Sequence, residues 1–113
     1  MSRISAPQRS WVLDRADGMC ERCGCDLSRG WECHHRRFRS QGGTNEVANL
    51  AALCSFLTHG DNQGCHELVH RRRLLAEGCV LSNGQDPAAV PILHHLLGRV
   101  FLSPDGSYER TQP

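Results

Sequence analysis

Gly64-Cys65-His66-Glu67-Leu68-Val69-His70 decides this chain when set against His34-His35 upstream and the thiols Cys20, Cys23 and Cys54. On a helix, His66 and His70 stand one turn apart on the same face, so they can grip one cation without distorting the backbone. His34 and His35 are neighbours, and in a regular strand their rings leave opposite faces. A bend or bulge would be needed to aim both at one point. With that bend, His34 completes a three-imidazole set with His66 and His70. His35 is then left uncoordinated beside the metal, placed to take a proton from water.

The thiols suggest a second, closed site. Cys20-Glu21-Arg22-Cys23-Gly24 is a tight turn presenting two sulfurs to one point, and Cys54 with Cys65 supplies the other half if residues 55–64 double back. Lengthening that loop costs little, because closure entropy grows only logarithmically with length. Cys25 and Cys33 compete for individual ligand places, and Cys79 reads as a small apolar residue. His59, His94 and His95 have no partner at useful spacing and read as surface or structural.

Around these motifs, Pro7 to Asp17 reads as a short amphipathic helix with Trp11, Val12, Leu13 and Ala16 inward and Gly18 as its stop. Trp31 to Phe38 reads as an irregular strand, Ser40 to Asn45 as a loop whose paired glycines allow positive φ or a close phosphate, and Asn49 to Cys54 as a second strand. The helix from Cys65 is expected to run to Gly78 with Leu68, Leu74 and Leu75 near one stripe. Cys79-Val80-Leu81 and the pair Arg99–Ser103 and Ser107–Glu109 across Pro104-Asp105-Gly106 read as strand and hairpin material.

The 113 residues, 39% hydrophobic and 5% aromatic, predict one domain (1–113) with a modest core for which a structural metal would compensate. Seven cysteines, an odd number, with no apolar leader after Met1 point away from a secreted disulfide scaffold and toward thiols that bind metal in a reducing cytoplasm. No apolar run approaches the roughly 18 residues a bilayer span requires. The net charge of +1 is uninformative about polyanion binding, but all 13 basic residues are arginines. Six of them form two clusters beside the histidines: Arg36, Arg37 and Arg39, and Arg71, Arg72 and Arg73. Such runs are often solvated faces, whereas two clusters flanking one site suit phosphate contacts.

His66-Glu67-x-x-His70 also spells the H-E-x-x-H helix of zinc proteases. Its extended form would want glycine at 73 and histidine at 76, where this chain has Arg73 and Ala76. A protease would leave His34, His35, Asn49 and both arginine clusters without a role.

Taken in order, Cys20-x-x-Cys23-Gly24, His34-His35-Arg36-Arg37, Gly42-Gly43-Thr44, Asn49-Leu50, Leu53-Cys54, Cys65-His66 and His70 resemble the HNH endonuclease family in its zinc-knuckle, bacteriophage form. The resemblance covers about half the chain directly, within a core of about 18–78, and the β extension at 79–108 is similar in style to the tails of the phage members. It implies an α+β, ββα-metal (His-Me finger) fold with a structural zinc knuckle, a small N-terminal helix and short C-terminal β elements. His35 is then the general base, and His34, His66 and His70 hold one catalytic divalent ion (Mg²⁺, Mn²⁺, Zn²⁺ or Ni²⁺). Asn49, otherwise readable as a turn or cap residue, holds the ribbon loop. Cys20, Cys23, Cys54 and Cys65 hold one structural Zn²⁺. The implied activity is hydrolysis of DNA phosphodiesters, by nicking or double-strand cleavage with low sequence specificity, in the cytoplasm of a bacterial host. Phage relatives imply a role in genome packaging beside terminase or portal proteins. The chain departs from the family in the long 55–64 spacing and in the extra Cys25 and Cys33. The rival expectation is a zinc-stabilised DNA-binding module without catalysis.

Overall fold

The structure, a computed structural model, describes residues 3–111. Helix α1 (Ala6–Arg15) begins where sequence dictates. Ser5 Oγ accepts the Gln8 amide while Gln8 Oε1 accepts the Ser5 amide, a reciprocal cap, and a proline in the first turn gives up no hydrogen bond. Val12 and Ala16 face the core, whereas Trp11 is 49% exposed, its indole edge resting over Gly106 instead of pointing inward.

Strands β1 (Glu32–His35) and β2 (Leu50–Leu53) form a two-stranded antiparallel ribbon with His34 opposite Ala51 and His35 opposite Leu50. All four residues of β2 are buried, and its two alanines let neighbouring elements approach closely. A short helix α2 (Phe56–His59), capped by Ser55, breaks up the 55–64 excursion, and α3 (Cys65–Arg72) follows. Three strands, β3 (Ile92–His94), β4 (Gly98–Leu102) and β5 (Tyr108–Glu109), make a second antiparallel sheet in sequence order. Ile92, Val100 and Leu102 join Val12, Leu50, Leu53 and Val69 in one apolar cluster. Among the described residues, no helix is long and apolar enough to cross a membrane.

Three expectations about elements are corrected. Helix α3 stops at Arg72, six residues before Gly78, because Arg73 (φ 61°) and Leu74 (φ 43°) turn left-handed. Leu74 thereby packs against the core while Leu75 stays 50% exposed, so the helix is anchored by Val69 and not by a leucine stripe. Cys79-Val80-Leu81 is buried but forms no strand; its one ribbon-like bond is Leu81 N–H to Arg36 O at 2.9 Å. Strand β3 has no sequence counterpart above. Its turn is closed by the buried His94, whose Nδ1 accepts the Leu96 and Leu97 amides at 3.1 and 3.2 Å.

Two buried ionic hubs lock the elements together. Glu21, inside the first cysteine turn, accepts from Arg15 at 2.8 Å, from the Ala52 amide at 2.8 Å and from Tyr108 Oη at 2.6 Å. Arg15 also donates to the carbonyls of Val47 and Leu50, so one pair ties α1, the ribbon and the C-terminal hairpin. The second hub is Arg36, fully buried, whose guanidinium donates to the carbonyls of Gly78, Ala48, Pro87 and Val90 at 2.6–2.9 Å. A charge taken out of water in this way stays only because its N–H groups are satisfied.

Candidate metal centres and the cleft between ribbon and helix

The ribbon carries His34 and the helix carries His66 and His70, and one nitrogen from each lies within 4.8 Å of the others. His66 Nε2 and His70 Nε2 are 3.1 Å apart. Two imidazoles on one tetrahedral ion, at a metal–nitrogen distance of about 2.0–2.1 Å, would place their nitrogens about 3.4 Å apart, so the donor set fits a cation. His34 Nε2 lies 2.7 Å from Cys79 O. A carbonyl only accepts, so Nε2 carries the proton and Nδ1 is left as the lone-pair donor. Burial, with the neighbouring imidazoles His66 and His70 adding to it, pulls His34 down to about 3, and burial followed by His70 lowers His66. Neutral imidazole is the form a metal binds. Phe38 stacks on His70 with ring centres 5.5 Å apart and meets His34 edge-on, fixing both rings.

No bulge aims His34 and His35 together, because the ribbon register is regular through both. They nevertheless border one cleft of about 520 Å³, with Glu32, Cys33, Phe38, Arg39, Ser40, His66 and His70. Residues of both ribbon faces line it, Glu32 and His34 from one and Cys33 and His35 from the other. His35 Nε2 donates to Asn45 Oδ1 at 2.8 Å, which leaves Nδ1 as the proton-accepting nitrogen. Asn45 is held in turn from α1, where Gln8 Nε2 donates to its carbonyl at 2.7 Å. Nothing in the spacing of Asn45 sets it apart from an ordinary loop-end asparagine, so no sequence signal marks it.

Asn49 is fully buried and does not line the cleft. Its Nδ2 donates to Arg37 O and Thr44 O at 3.1 and 2.9 Å, and its Oδ1 accepts the Arg37 amide at 2.8 Å. It is therefore a clamp across the ribbon loop, with Asn45 at the clamped end. Gly43 sits in the same loop because a Cβ there would strike the Arg37 carbonyl. Close packing of the loop on itself requires that glycine.

The arginines divide. Arg36, expected on phosphate, is instead the buried hub described above; it faces main-chain carbonyls and is out of reach of any ligand. Arg37 braces the loop through Nε to Gln41 O at 3.0 Å. Arg39 lines the cleft, Arg71, Arg72 and Arg73 are exposed, and Arg73 lies over the Phe38 ring at 5.4 Å. A neighbouring hollow shares Glu32, Cys33, His35 and Arg39 with the cleft and adds Arg3 and Arg9, which no motif had marked. Glu67, the base of a protease reading, spends Oε1 on the Gly64 amide as a helix cap at 3.1 Å and does not line the cleft.

The four sulfurs of Cys20, Cys23, Cys54 and Cys65 also gather within 4.8 Å, with Cys23 Sγ and Cys54 Sγ 3.7 Å apart. Tetrahedral thiolates at about 2.3 Å from zinc would sit about 3.8 Å from one another, so this set fits too. Hydrogen bonds from Cys54 and Cys65 hold the Cys20 thiol far below its ordinary value, while Cys20 pushes Cys54 and Cys65 up. Four such thiols cannot all ionise without a cation among them. Arg22 lies at the rim, Nη1 3.5 Å from Cys65 Sγ. Cys33, within β1, stays outside this set, raised to about 11 by burial. His59 does have a partner after all: its Nε2 lies 3.8 Å from Cys25 Sγ.

Against this geometry, residues 20–56 match the family model described as HNH endonuclease. The match takes in Cys20, Cys23, His34, His35, Asn49 and Cys54 and breaks off at Phe56, so Cys65, His66 and His70 are brought to the site by the fold alone. No curated protein and no solved structure matches the chain.

Proposed function

We propose that this protein is a metal-dependent DNA endonuclease with a ββα-metal centre. The observation that supports this reading best is the convergence of His34, His66 and His70 beside a fourth imidazole whose proton is already committed to Asn45. His34 through Nδ1, with His66 and His70, would hold a divalent cation, which when bound supplies positive charge to the phosphate under attack. His35 accepts a proton from water at Nδ1, and the hydroxide so formed attacks phosphorus in line. The phosphorus–O3′ bond breaks, the 3′ oxygen takes a proton from solvent, and the products carry 5′ phosphate and 3′ hydroxyl ends.

Arg3, Arg9 and Arg39, which share a hollow with His35, and the exposed Arg71, Arg72 and Arg73 would anchor backbone phosphates. Contacts of this kind read no bases, in line with low sequence specificity. Cys20, Cys23, Cys54 and Cys65 would hold structural zinc. The assay is plasmid cleavage in Mg²⁺, Mn²⁺, Zn²⁺ or Ni²⁺, with casein as the control for proteolysis. His35→Ala should abolish cutting and leave DNA and metal binding intact. A wild-type protein that shifts DNA but cuts it with none of these ions would instead be a zinc-stabilised binding module.

A further inference from the structure

We propose that Cys25, Cys54 and His59 form a second thiophilic metal site, sharing the Cys54 sulfur with the four-cysteine site so that the knuckle holds a two-ion cluster. The inference rests on the four-thiolate reading and is independent of nuclease activity. One donor atom from each of the three residues lies within 4.8 Å of the others, and Cys25 Sγ and His59 Nε2 are 3.8 Å apart. A tetrahedral zinc with sulfur at about 2.3 Å and nitrogen at about 2.0–2.1 Å would set these two atoms about 3.6 Å apart. The donors are therefore near their bonding separation.

Local structure delivers both new ligands. Cys25 returns to the first cysteine turn because Gly24 takes φ 84° and the Cys20 amide closes on Cys25 O at 2.8 Å. The His95 ring fills the space where a Cβ on Gly24 would lie. His59 ends helix α2, whose cap residue Ser55 directly follows Cys54. That helix is pinned by Thr58 Oγ1 donating to Gly30 O at 2.6 Å and is closed by Gly60 at φ 76°. The 55–64 excursion, which widens the second cysteine pair, is thus also what carries an imidazole back onto it.

Charge favours the same arrangement. Four thiolates around one dication leave an excess of negative charge that Arg22, itself paired with Glu77, offsets only in part. A second dication brought in by one further thiolate and a neutral imidazole lowers that excess by one charge. Cys25 is half-buried and His59 exposed, so the second ion would keep a coordination place open to water and exchange faster than the first.

The test is native mass spectrometry of the full chain, reduced and saturated with Zn²⁺, for wild type, Cys25→Ser and His59→Ala. The His34, His66 and His70 set contributes equally to all three proteins and cancels. Wild type should carry one zinc ion more than either variant. After exchange to ¹¹³Cd²⁺, wild type should show two thiolate-bound resonances coupled through one sulfur, reduced to one in each variant. Equal counts in all three proteins would overturn the proposal. So would a folded variant that loses every thiolate-bound ion at once, since that residue would then belong to the single primary site. If Cys25→Ser does not fold, His59→Ala decides alone, because its side chain lies at the surface.

Discussion

At the scale of single residues, adjacent arginines have unrelated jobs. Arg36 neutralises main-chain carbonyls in the interior, and burial pulls its guanidinium down to about 10. Arg36→Ala should therefore cost about 3–5 kcal/mol in denaturant unfolding, because four buried carbonyls lose their donor. Arg39→Ala should lower the slope of DNA affinity against salt by roughly one phosphate contact. A stable Arg36→Ala protein with weakened DNA binding would reverse this division. Asn45→Ala frees the His35 ring without touching the three converging imidazoles, so turnover should fall about 10- to 100-fold while zinc content is unchanged. The grouping of His34, His66 and His70 and that of the four thiols were legible because a metal site demands those side chains. Asn45 and the interior role of Arg36 were not, since an amide in a polar loop and an arginine in a basic run look the same whether they face solvent or the fold.

At the scale of elements, the break after α3 carries the clearest consequence. Arg73 and Leu74 both adopt left-handed backbone, each at a cost of about 1 kcal/mol for a side chain with a Cβ. Arg73→Gly should raise stability by about that amount and at the same time weaken DNA binding by removing a cation beside Phe38. Calorimetry paired with a DNA-binding titration reads both; a loss of stability would show that the Arg73 stacking outweighs the backbone strain. Sequence periodicity ran the helix on to Gly78 because neither residue is a glycine or proline. Tertiary demand overrode it: Leu74 is needed in the core, and Gly78 O and Cys79 O are needed by Arg36 and His34. Strand β3 escaped notice for a similar reason, its turn being made by a histidine side chain in place of the usual glycine or asparagine.

At the scale of the whole molecule, the only tyrosine reports on how the ends are joined. Burial, and then the Glu21 carboxylate, raise Tyr108 well above the ordinary tyrosine value of about 10. A group whose folded value is raised contributes stability that is whole below the unfolded value and is lost as pH climbs past it toward the folded one. The phenolate absorbance should thus stay absent at pH 10–11 in the folded chain and emerge together with unfolding. Ionisation near pH 10 with the fold intact would mean that Tyr108 does not meet Glu21 in solution.

Glu21 gives that joint a wider meaning. Its neighbours Cys20 and Cys23 belong to the knuckle, yet its carboxylate grips a residue 87 positions further along the chain. A metal held by the four thiols would therefore help to fasten the tail as well: removing it should slacken the tail, and a tail pulled free should speed its release.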